Sequence, residues 1–97
     1  MTVFVFDSEA ASLAVCADPA AALQGRAVAD LRAQRWLFFG VDGEPLRVDC
    51  LADGTSQLRP WASCASCRLV QVLPWVEHFE ATPEWPDLQR VRESLGE

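Results

Sequence analysis

The chain has 97 residues, just over half of them apolar and about a quarter charged, a balance that fits one globular domain spanning 1–97 and excludes intrinsic disorder. Its net charge of −6 argues against a nucleic-acid binder, which needs a basic face for phosphates, and against adhesion to an anionic membrane. No apolar run reaches the roughly 18 residues that cross a bilayer, and the first residues, Met1 to Asp7, lack the basic stretch of a secretory signal.

The chain has no Lys, Ile, Asn or Tyr. These residues have A/T-rich codons, so a GC-rich bacterial genome explains their absence and no function attaches to an all-Arg set of cations. The expected compartment is the bacterial cytoplasm, where the four cysteines stay reduced.

Thr2 to Phe6 alternates β-branched and aromatic residues and predicts a first strand. Asp7, Ser8 and Glu9 form a turn, and Ser12 to Ala17 returns as a second strand with Leu13 and Val15 on one face. A helix over 8–17 competes for this stretch, because Ala and Leu are good helix formers. Asp18-Pro19 is the better helix start, with Asp18 as cap and Pro19 in the first turn, and Gly25 is the expected end. A short helix follows from Val28 to Gln34.

Arg35 to Phe39 is the densest aromatic run and predicts a central strand. Asp42-Gly43 marks a hairpin turn, and Leu46 to Leu51 is the returning strand. A second turn falls at 52–55. Leu58, Trp61, Ala62, Ala65 and Leu69 recur at helical spacing and predict a helix over 56–66. Arg68 to Leu73 reads as a strand stopped by Pro74, and Pro86 to Leu95 as a closing helix with Leu88, Val91 and Leu95 on its buried stripe. The order β-β-α-β-β-α-β-α implies an α+β domain: a small, mostly antiparallel sheet of about five strands with helices packed on one face.

One stretch has the spacing of a chemical motif, Cys64-Ala65-Ser66-Cys67. Two thiols so placed can share a metal or form a redox couple. Zinc requires four ligands, and Cys16, Cys50, Cys64, Cys67 and His78 are the candidates. Cys16 and Cys50 fall in predicted strands, where a thiol is ordinary core filling, and the second motif that usually completes a zinc site is missing. A redox role is weaker still, because the pair falls at the end of a predicted helix, where the dipole raises a thiol pKa. The expectation is four reduced cysteines without a chemical role and no cofactor.

His78 lies between Glu77 and Glu80 and is a candidate general base; a solvated loop histidine is the plainer reading. No serine or cysteine sits in the context of a nucleophile. Of the four tryptophans, Trp36 and Trp61 are assigned to the core. Trp75 and Trp85 each adjoin a proline in the late loop; they are the candidates for partly exposed anchors of a partner, although a tryptophan lid over the open end of a small core is the plainer reading.

The sequence therefore predicts a non-enzymatic protein-interaction or regulatory module, engaging another protein through a sheet edge or an aromatic-anchored surface; the scattered acids read first as a solvated face, with a surface for a basic partner as the second option. An unpaired edge also allows a homodimer. The alternative is a small zinc- or thiol-based protein using Cys64 and Cys67.

Overall fold

Alternation along the first strand decides the architecture. In β1 (Val3–Asp7), four consecutive residues are buried, so the strand has apolar partners on both faces. Val3 and Val5 belong to one core cluster and Phe4 and Phe6 to the other. A strand buried on both faces is the centre of a sheet covered on both sides.

The computed structural model describes residues 2–26, 28–33, 35–52, 55–61 and 68–96, with the backbone alone at Val28, Arg32 and Cys50. After β1 come β2 (Ser12–Cys16), α1 (Pro19–Leu23), α2 (Val28–Arg32), β3 (Trp36–Gly40), β4 (Pro45–Cys50) and β5 (Ser56–Pro60). Helix α3 (Leu69–Val72) runs into a 3-10 turn (Leu73–Trp75), followed by β6 (His78–Phe79) and α4 (Leu88–Ser94). The sheet order is β5-β4-β3-β1-β2-β6. Every pairing is antiparallel except β2 with β6, which is parallel. This is a small α+β domain with a mixed, mainly antiparallel sheet flanked by helices, and no helix among the described residues is long and apolar enough to cross a membrane.

The helices flank both faces, which corrects the expectation of one. Ala22 of α1 and Leu31 of α2 pack with Val3, Val5 and Phe38, and Leu46, Val48 and Leu58 extend that cluster across β4 and β5. On the opposite face Leu69, Val72, Leu73 and Val91 pack with Phe4, Phe6, Leu13 and Phe39. The physical reason is β1 itself: Val-Phe-Val-Phe needs cover on both sides.

Local signals account for several boundaries. The Asp18 carboxylate accepts the Ala21 N–H at 2.7 Å, with Pro19 opening α1. Asp87 caps α4 in the same way through Arg90, at 2.9 Å. The β3–β4 hairpin closes with Gly40 and Glu44 paired and Gly43 at φ +81°, the left-handed position a three-residue hairpin loop reserves for glycine. A Cβ on Gly43 would stand 2.7 Å from a methyl group of Leu95, so the turn also fits the end of α4.

Two elements reverse the sequence reading. The predicted helix over 56–66 begins as strand β5, registered against β4 from Cys50↔Ser56 to Leu46↔Pro60; 62–67 lie outside the described residues. Gln57 and Arg59 alternate with Leu58, the period of a half-buried strand, and Pro60 stands at its end on an edge. The predicted strand over 68–73 is helical. Leu69, Val72 and Leu73 are buried at i, i+3, i+4 spacing, and the Gln71 side chain accepts the Arg68 N–H at 2.8 Å to cap the turn. The need to cover Phe4 and Phe39 overrides the β propensity of Leu-Val-Gln-Val. The sixth strand, β6, falls where the sequence predicts loop.

Candidate functional site

The 3-10 turn determines which late aromatic reaches the surface. With about three residues per turn, positions i and i+3 lie over one another. Leu73 is buried and Val76 packs on the same cluster, so Pro74 and Trp75 are left outward. Trp75 is 64% exposed. The Val76 N–H closes the turn on the Leu73 carbonyl at 3.1 Å, so the indole projects from a turn held by buried Leu73 and half-buried Val76.

Trp85 is placed differently. It is 8% exposed, and its ring meets Phe4 edge-on at 5.0 Å between centroids and an interplanar angle of 79°. Arg90 lies over the same ring at 5.5 Å. The backbones of Thr82 and Trp85 exchange two hydrogen bonds, 3.0 and 3.1 Å, and the Thr82 hydroxyl accepts the Trp85 N–H at 3.1 Å. This tight loop turns the indole inward to complete the core. Trp85 thus matches the lid reading and not the partly exposed anchor, and Trp75 alone of the pair has an anchor's accessibility.

Beside Trp75 runs the β6 edge of the sheet. Ala11, at φ 52° in the β1–β2 turn, offers its carbonyl to the Glu77 N–H at 2.7 Å and the His78 N–H at 3.1 Å. The Leu13 carbonyl accepts the Glu80 N–H at 2.9 Å. His78 and Glu80 therefore turn their amides toward β2. Phe79, between them, points its N–H and C=O the other way, while its side chain packs on the core. The side chains of Glu77, His78 and Glu80 are exposed, which makes this edge acidic.

The remaining candidates are dispersed. Cys64 and Cys67 lie outside the described residues, and so does the side chain of Cys50. Cys16 is a half-buried free thiol. Burial pushes it above its ordinary 9.0, with nearby Arg26 opposing and Glu80 and Asp18 reinforcing the shift. Among the described residues no three His, Cys, Asp or Glu side chains gather as a metal ion would require. Trp36 is half-buried, with the guanidinium carbons of Arg26 and Arg35 at 4.9 and 5.0 Å from its ring centroid. Trp61 follows β5 and bonds the Pro45 carbonyl through its N–H at 3.1 Å. It lines a groove of about 480 Å³ with Val41, Pro45 and Pro60.

A small charged cluster braces the opposite end of the sheet. The Asp7 carboxylate accepts the Glu9 and Ala10 N–H groups at 3.0 and 3.2 Å and meets Arg35 at 3.4 Å. Burial works to raise this carboxyl, but the two amides and the guanidinium outweigh it and hold Asp7 below its ordinary 3.8.

The sequence names Trp75 as a candidate anchor and takes 77–80 as loop, without β6. A two-residue strand carries little periodicity; the available signal was the β-favouring pair His78-Phe79 isolated between Pro74 and Pro83. The chain matches no protein-family model, no curated protein and no solved structure.

Proposed function

We propose that the chain is a non-enzymatic protein-interaction or regulatory module of the bacterial cytoplasm, holding its partner through Trp75. The exposure of that one indole carries the reading. A tryptophan side chain is worth 150–250 Å² of burial, so leaving most of it in water forgoes on the order of 2–4 kcal/mol. A partner that covers it recovers that free energy. The turn that carries the ring is held by Leu73 and Val76, so its backbone loses little freedom on binding, as suits an anchor residue. The overall charge of −6 favours a basic partner and speeds its approach.

The test is affinity capture from native lysate with the wild-type chain and with Trp75→Ala. The wild type is expected to retain a specific protein that the variant loses, with both chains folded. Equal retention by the variant rules out Trp75 as the anchor.

A further inference from the structure

We propose that the partner docks by strand addition: an extended, basic segment pairs with the outer edge of β6, with an apolar side chain laid on Trp75. This rests on the Trp75 reading and adds the mode of binding and the chemistry of what is bound.

The hydrogen bonds of β6 supply the first argument. The Glu80 N–H reaches Leu13 and the His78 N–H reaches Ala11, and residues two apart along a strand face the same way. The N–H and C=O of Phe79 are thus aimed away from β2 and make no hydrogen bond among the described residues. Ala81 leaves its own N–H and C=O without a partner among the same residues. One residue of an antiparallel visitor can exchange both bonds with Phe79, as in an ordinary hydrogen-bonded pair. This is how peptides extend a sheet, with backbone bonds giving affinity and side chains giving selection.

The second argument is charge. Glu77 and Glu80 flank Phe79 and are exposed. Charged residues and short length are the usual means of blunting an edge against unwanted pairing. Acidic side chains blunt it selectively. Two copies joined β6 to β6 would bring Glu77 and Glu80 against the same charges, whereas a segment bearing Lys or Arg is attracted. The occupant inferred is therefore a cationic strand and not a second β6 edge. The third argument is position. Trp75 stands three positions before β6, so the exposed indole and the open backbone groups follow closely along the chain.

The experiment is a two-dimensional amide NMR titration of the full chain with a short peptide of alternating lysine and valine, blocked at both ends. Its glutamate–valine counterpart and a copy N-methylated at alternate residues serve as comparisons. The lysine peptide is expected to shift the Phe79 amide and the Trp75 indole. The N-methylated copy, unable to pair, and the glutamate peptide should each bind at least about tenfold more weakly. Equal binding of the N-methylated copy, shifts that bypass Phe79, or no binding overturns strand addition. Shifts of Phe79 that follow protein concentration alone assign the edge to a second copy and overturn the cationic occupant. Lysate capture that depends on Trp75 while the peptides fail would leave the anchor standing and remove only this mode of binding.

Discussion

Single residues separate packing from recognition. Trp75 and Trp85 share a sequence context, an indole beside a proline, and end in opposite places. Trp85→Ala removes a buried ring from the Phe4 contact, and a loss of about 3–5 kcal/mol in unfolding free energy is expected, read by urea denaturation. Nothing local distinguishes the two in the sequence. The inward turn of Trp85 comes from the Thr82 loop and the space above Phe4, both set by tertiary packing.

Asp7 and Cys16 give two further predictions at this scale. Because the folded protein holds the Asp7 carboxyl below its ordinary 3.8, its ionised form contributes stability that is complete above that value and is lost as pH falls through the lower, folded one. The stability gap between wild type and Asp7→Asn should therefore be open at neutral pH and close in acid. A gap that is constant with pH contradicts the assignment. Cys16 is shifted the opposite way by burial, which lowers its thiolate fraction. Peptide-mapped alkylation should label Cys16 more slowly in the folded chain than in urea, and equal rates would count against the buried placement.

Secondary-structure elements show where sequence signals compete. The β1–β2 and β3–β4 hairpins, the Asp18-Pro19 start of α1 and the buried stripe of α4 were legible, since each rests on chemistry within a few residues. The expectations for β5 and α3 are reversed because Leu58, Trp61 and Leu69 share a helical spacing that runs past the end of the strand. A shorter window shows polar Gln57 and Arg59 around Leu58, and Leu69, Val72 and Leu73 one helical turn apart. The parallel β2–β6 pair could not be read, because its register depends on the Ala11 carbonyl, far away in the chain. The hairpin turn itself is testable. Gly43→Ala forces a side chain into a left-handed position and against Leu95, and should cost about 1–3 kcal/mol, seen as a lowered melting temperature. An unchanged melting temperature would show that the turn and α4 are not in contact as described.

For the whole molecule, the sheet divides the labour. Its two faces are committed to helices, and the sequence underestimated this by placing all helices on one side. With both faces of β1, β2 and β3 covered, the proposed recognition surface is the β6 rim. There, the turn ending in Trp75 and the acidic β6 edge lie side by side. Of this rim the sequence names the tryptophan next to Pro74, as a lid on the core first and an anchor second, because a loop-like context fits both. It did not show the open backbone of Phe79, which exists only once β2 has taken the inward-facing groups of its neighbours.

The most direct test of the Trp75 account is the dissociation constant of the captured partner measured with wild type and Trp75→Ala, alongside the melting temperature of each. The account predicts unchanged melting and an affinity lowered by at least about tenfold, the effect of losing a central aromatic anchor. Equal affinity, or a variant that melts early as Trp85→Ala should, would contradict it.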